Sequence, residues 1–300
     1  MSIEKICGLL GYSKQAYYKN INHIEQEKVS ELLIVNLIEQ KRKIWKKGSG
    51  RNLHASLKDE FKAHKIKIGR DKFYDLLRKY SLLNKTKRYR TRTTFSYHYF
   101  HKYPNLIKSI VADKPNQAIV SDITYIWLSD SESFCYLFLI TDMYSRKILG
   151  CCISEDLKAS SALKALKMAI RSMTGIKKGC IHHSDREIQY CSYAYTEYLI
   201  KNQMLISMTE NGDPLENPIA ERVNRTIKEE FTEDKQLSFP NFEEAKRELP
   251  KYIKFYNEVR PHRSIEMLTP SAAYKRTGPL KRKWKNYYPN KKTTHQLADV

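Results

Sequence analysis

The sequence predicts an α/β protein: a core built on a mixed five-stranded sheet with helices, preceded by an all-α region. Three observations predict it. Between residues 116 and 153, three runs rich in β-branched and aromatic residues follow one another across short turns. Beyond them, helical and strand-sized segments alternate; before them, apolar residues recur at helical spacing. The charge divides at the same places. Residues 1–114 carry 26 basic and 10 acidic side chains, a net of +16. Residues 115–270 carry 20 and 22, and residues 271–300 carry 8 and 1, within a total of +21 over 300 residues. The boundaries that follow are a helical region over 1–83, a basic linker over 84–113, a core over 114–274 and a basic tail over 275–300.

Composition excludes several classes. No apolar run approaches the roughly 18–20 residues that cross a bilayer. The longest, Cys135-Tyr136-Leu137-Phe138-Leu139-Ile140, is strand-sized. The N-terminus lacks a basic-then-apolar leader. Six cysteines lie scattered with no CxxC, which speaks for a reducing cytosol and against zinc. Basic arms around a near-neutral middle suit a polyanion, because neutralising phosphates releases counterions. A merely solubilising surface would mix its signs more evenly.

In the first arm, Ile3, Ile6, Leu9 and Leu10 have helical spacing. Gly11-Tyr12-Ser13 then makes a turn with a Ser cap, and a second short helix runs through Tyr17-Tyr18. A long helix is expected from about Glu25 to Lys46, ended by Gly48-Ser49-Gly50. A further pair covers residues 53–61 and 72–78. Two helix-turn-helix-like units in so basic a segment favour duplex DNA over simple packing. Lys85, Lys87, Arg88, Arg90 and Arg92 follow within eight residues and without an acid, a linker able to track a DNA backbone. In the tail, Lys281-Arg282-Lys283-Trp284-Lys285 mixes cations with a stacking ring.

In the core, strands are expected over 118–128, 134–141 and 147–153, joined as an antiparallel meander. A helix over 160–173, a strand over 180–184, a helix over 193–201 and a strand over 204–208 follow. Asn217-Pro218 then starts a last helix, cap and first helical position. This is the element order of a ribonuclease-H-like fold, although the order alone also suits other mixed α/β folds.

Three acids stand out in that frame. Asp122 lies inside the first strand, where burial without a cation would be costly. Asp185 stands at the end of the fourth strand, in His182-His183-Ser184-Asp185-Arg186, and strand ends are where ligands collect. Glu221 sits in the first turn of the last helix. At about 100° per residue from Ile219, Val223 and Ile227 fall on one edge, and Glu221, Arg225 and Lys228 on the opposite one. An acid there can bind metal while the cations hold phosphate, although an exposed face with ordinary charge pairs would look the same. Phosphoryl transfer on DNA is served by two divalent cations about 3.5–4 Å apart, and hard Mg2+ takes oxygen ligands. Asp142, in Thr-Asp-Met-Tyr-Ser-Arg, reads as a turn cap and Glu216 as a loop acid.

Asp122 in Ser-Asp-Ile-Thr-Tyr-Ile, Asp185 in His-Ser-Asp-Arg and Glu221, with 35 residues between the last two, resemble the D-D-35-E triad of the retroviral-integrase superfamily. Lys228, seven residues past the glutamate, matches its basic position. Pro115-Asn116-Gln117, Ser207-Met208-Thr209, Asn217, Tyr256-Asn257-Glu258-Val259-Arg260-Pro261-His262 with Thr269-Pro270, and the early Gly-Tyr-Ser-x-x-x-Tyr-Tyr add a closer likeness. Together they resemble the orfB-type transposases of bacterial insertion sequences of family three, over essentially the whole chain. The resemblance implies DNA strand cleavage and strand transfer at inverted-repeat ends, without a covalent intermediate. It implies Asp122, Asp185 and Glu221 as catalytic metal ligands for two Mg2+, with Mn2+ able to substitute. Lys228, Arg225, Arg186 and the linker cations would contact DNA. Arg260, which closes a helix docked on the core, is a further DNA-contact candidate, and His183 is a further site candidate. The implied partners are double-stranded DNA (element ends and target), further copies of the chain, and the product of an upstream overlapping reading frame. The implied location is the bacterial cytoplasm, at the nucleoid. One departure matters: Glu187 stands where the family has glycine. If the backbone there needs φ > 0, glutamate strains it, and a further acid beside the metals could displace them. The alternative reading is therefore a catalytically impaired DNA-binding relic.

Overall fold

The computed structural model describes residues 3–84, 99–175, 177–210, 216–231 and 238–281. The linker cations Lys85, Lys87, Arg88, Arg90 and Arg92, and the tail beyond Lys281, lie outside the described residues.

The core is a sheet of order β3-β2-β1-β4-β5, with strands Ala118–Leu128 (β1), Ser133–Asp142 (β2), Ile148–Ser154 (β3), Ile181–Ser184 (β4) and Leu205–Met208 (β5). β1, β2 and β3 form the expected antiparallel meander, and β4 and β5 join β1 in parallel. This is the ribonuclease-H-like arrangement. The sheet exceeds the expected five strands by one short member: Ser238–Phe239 (β6) pairs in parallel with the far end of β1.

Helices cover both faces. On one, Ala159–Ser172 (α6) and Tyr193–Lys201 (α8) bury Leu166, Ile170 and Leu199 against Ile123, Phe138 and Leu149. The approach of α6 to β3 is close enough to require Gly150: a Cβ there would stand 2.2 Å from the Ala165 carbonyl and 2.9 Å from the Ala169 Cβ. The other face packs on Pro218–Glu230 (α9) and Phe242–Glu258 (α10), through Val223, Ile227, Leu249 and Ile253.

The N-terminal helices are Ile3–Leu9 (α1), Lys14–Arg42 (α2), Gly50–Ser56 (α3), Lys58–Ala63 (α4) and Arg70–Lys79 (α5). The turn before α2 is the expected one: Gly11 has φ +75, and the Ser13 hydroxyl accepts from the Ala16 amide at 3.0 Å. The expected break inside residues 19–24 is absent, and α2 continues for 29 residues. That stretch has no Gly or Pro, so modest helix propensity alone does not stop it. Residues 53–61, expected as one helix, divide at Leu57 into α3 and α4.

These helices share one apolar cluster with the core: Ile34, Ile38, Trp45, Leu53, Phe73 and Leu77 join Val223, Phe231 and Phe255. A polar node locks the junction. The Glu230 carboxylate, in the last turn of α9, accepts from the Trp45 indole (2.7 Å) and from Arg260 Nε (2.7 Å) and Nη2 (2.5 Å). The Glu230 carbonyl also accepts the Lys47 amide at 2.8 Å. This corrects the expectation for Arg260 as a DNA contact. Its side chain is 7% exposed and closes an internal ion pair, so it is turned away from any backbone phosphate.

Candidate active site

Parallel pairing brings the two aspartates together. Val120 on β1 lies opposite His183 on β4; Asp122 follows two residues on in β1, and Asp185 stands just past the end of β4 at Ser184, where it feels the charge of Asp122. Neighbouring strands are about 4.8 Å apart, so carboxylates leaving them side by side interact directly. Helix α9 then closes over this edge. The Asn217 amide donates to the Ser121 carbonyl at 2.9 Å, so it ties the helix start to β1 instead of capping the helix. His183 ties the same start to β4: one ring nitrogen bonds the Glu216 carbonyl at 3.1 Å, the other the Ser207 hydroxyl at 2.9 Å. The Glu216 carbonyl can only accept, so Nε2–H donates to it, and in the neutral ring Nδ1 accepts the Ser207 hydroxyl. His183 is thus a neutral strut, held by burial at about 4, and both nitrogens are engaged inside the protein.

The electrostatics follow from this convergence. The Asp122 carboxyl accepts from Asn224 Nδ2 (2.8 Å) and from the Ile123 amide (2.9 Å). Burial nevertheless raises it to about 6, against the pull of those bonds and of Lys228. Asp185 is raised well above the usual range, first by burial and then by the charges of Glu187, Asp122 and Glu221. Glu187 is pushed up to about 7 by burial and by Asp122. Lys228 is lowered by burial and held up in part by Asp122. Asp185 therefore feels three other carboxylates, and Asp122 feels a lysine.

As they stand, no three Asp, Glu, His or Cys side chains among the described residues are close enough to hold a metal ion together. Their donor chemistry still fits one: hard oxygen donors from β1, from the loop after β4 and from α9, with a buried carboxylate oxygen, Glu187 Oε2, that has no hydrogen-bond partner among the described residues.

The remaining sequence candidates separate. Arg225 is exposed on α9. Arg186 donates to the Glu210 carbonyl at 2.6 Å. Asp142 is a turn cap, accepting from the Asn116 and Ser145 amides, each at 2.8 Å. Glu216 is a loop acid that accepts the Glu210 amide. Glu187 has φ −70 and ψ 145, ordinary extended backbone, so the strain foreseen for it does not arise. Sequence reasoning passed over Asn224. Its signal was its place three residues after Glu221, about 60° from that acid on the helix that faces Asp122.

Two integrase core domain families match the chain, over residues 112–214 and 202–270. The chain is 31% identical over 271 residues to the uncharacterized 31 kDa protein of insertion element IS600 from Shigella sonnei, covering 89% of this chain and 96% of that one. It is 31% identical over 155 residues to transposase InsF of insertion sequence IS3A from Escherichia coli, covering 51% and 53%. Among solved structures it is similar to the HTLV-2 integrase catalytic core in complex with magnesium (TM-score 0.41, 12% identity, 55% of this chain and 99% of that one).

A ribonuclease-H-like core of this order, carrying an integrase domain, defines a polynucleotidyl transferase of the DDE type. The chain belongs to the integrase-core transposases of bacterial insertion sequences, family three, and acts in DNA transposition and integration. The integrase-core family depends on divalent metal. No helix among the described residues is long and apolar enough to cross a membrane.

Proposed function

We propose that Asp122, Asp185 and Glu221 are the catalytic acids of this transposase, holding two Mg2+ ions for which Mn2+ can substitute. The observation that supports this reading is that the charges of Asp122, on β1, and of Glu221, on α9, both raise Asp185, just past the end of the strand β4 that pairs with β1. When bound, the metals supply charge neutralisation for the attacking and leaving oxygens of an in-line displacement. The protein does the rest. Asn224 orients the Asp122 carboxyl, Lys228 stands ready to hold the phosphodiester beside it, and Asn217 and His183 fix the start of α9 so that Glu221 faces the sheet. Arg225, Arg186 and the linker cations then carry flanking phosphates.

The helical region over 1–83 recognises the terminal repeats, the linker over 84–113 and the tail over 275–300 follow the DNA backbone, and 114–274 performs the chemistry. The substrate is double-stranded DNA, first the element ends and then the target, held by several copies of the chain. A product of an upstream overlapping frame joins them, in the bacterial cytoplasm at the nucleoid.

The test is end cleavage and strand transfer with Asp122→Asn, Asp185→Asn and Glu221→Gln. Since even groups that only support a metal ligand are worth 10–100-fold, each variant is expected to lose about a hundredfold or more. Near-normal activity in any one removes that residue from the role.

A further inference from the structure

We propose that Glu187 is a fourth carboxylate donor to the divalent cation held by Asp122 and Asp185, so that this chain builds a four-acid metal site. The inference rests on the reading that those two aspartates hold the ion.

The backbone places the side chain. Glu187 directly precedes the short helix Ile188–Cys191 (α7), in extended conformation. The Asp185 carboxylate accepts the Glu187 amide at 3.3 Å, which folds the Asp185-Arg186-Glu187 segment back on itself. The two acids thus share one tight bend, and both act electrostatically with Asp122 across the strand pair. Glu187 Oε2 is shut off from solvent and has no hydrogen-bond partner among the described residues. A carboxylate oxygen so placed is costly unless something neutralises it. Tyr190, the third residue of α7, carries a hydroxyl that is likewise buried and unpartnered. A hard divalent cation with its bound water supplies what both groups lack: positive charge for the carboxylate and a hydrogen-bond partner for the phenol. Coordination number and ligand charge set the affinity of such sites, so a fourth acid makes the ion bind more tightly.

The experiment reads metal, not turnover. Mn2+ binding to the full chain is measured by titration calorimetry for the wild type, Glu187→Gln, Glu187→Gly and Asp122→Asn. Waters on bound Tb3+ are counted from luminescence lifetimes in H2O and D2O. Circular dichroism confirms that each variant folds. Both Glu187 variants are expected to bind Mn2+ about tenfold more weakly or worse, and Tb3+ is expected to gain about one water in Glu187→Gln. If Glu187→Gln binds within twofold of wild type with an unchanged water count while Asp122→Asn has lost binding, Glu187 is not a ligand and the three-acid reading stands. If Asp122→Asn binds as wild type does, or wild type binds no Mn2+, the aspartate reading fails, and the proposal with it.

Discussion

Glu230→Ala is expected to lower the unfolding free energy by about 3–5 kcal/mol, the usual cost of breaking a buried ion pair from one side. The carboxylate satisfies two guanidinium nitrogens of Arg260 and the indole of Trp45 at 2.5–2.7 Å. Removing it leaves a charge buried at 7% side-chain exposure with no counterion among these partners. Urea or thermal unfolding measures the loss. Replacing both members, Glu230→Ala with Arg260→Met, should cost less than Glu230→Ala alone, because the stranded charge is gone. A loss below about 1 kcal/mol in the single variant would mean that the node is solvated and weak. Arg260→Ala should also leave the salt dependence of DNA binding unchanged, since it gives up no phosphate contact.

Asp122→Asn is expected to stabilise the metal-free protein near pH 8 by up to about 3 kcal/mol, the worth of a shift of roughly two pH units. Burial holds Asp122 at about 6 against an ordinary 3.8, and Glu187 at about 7 against 4.5. A carboxyl raised on folding contributes stability that is complete below its unfolded value and lost as pH climbs through the folded one, here between about 4 and 7. Three buried histidines work the other way. His182 is lowered to about 3, His183 to about 4 and His262 well below its ordinary value, so their contribution is lost as pH falls from 6.5. The wild-type curve is the sum of these opposing limbs. Subtracting it from the Asp122→Asn curve cancels the histidines and leaves the carboxylates. The advantage should be largest near pH 8 and vanish near pH 4, and millimolar Mg2+ should raise the wild-type midpoint but not the variant's. A difference that stays constant across that range would show that burial does not raise the Asp122 carboxyl.

Much of this frame was legible in the chain. β1 is found over the residues its β-branched and aromatic run marks, and α6 over the spacing of Leu163, Leu166 and Ile170, because both patterns are local. Asn217-Pro218 located the start of α9 for the same reason. The failures are of another kind. The purpose of Arg260 depends on Glu230 and Trp45, and Trp45 lies 185 residues from Glu230, a separation that no window of sequence spans. The helix α10 was foreseen only at its end; it carries Pro250 in its interior, which argues locally against a helix. Glu187 could be marked as foreign to its motif, but whether it strained the backbone depended on a φ value, and whether it faced the acids depended on a bend closed by the Asp185 carboxylate. The triad was visible as spacing; the parallel pairing of β1 with β4, which immediately precedes both aspartates, belongs to the sheet.

Helix α9 is anchored at both extremities, by Asn217 and His183 at its beginning and by Trp45 and Arg260 at its end. From Ile219 to Glu230 it contains neither glycine nor proline, so it has no built-in joint. Its two charged ends, Glu221 and Glu230, are separated by about 13 Å of stiff rod. Any tilt imposed where the first eighty residues grip this rod is delivered without bending to the acid at the opposite tip. On the reading proposed above, seating an element end on those helices and aligning Glu221 would be a single mechanical event.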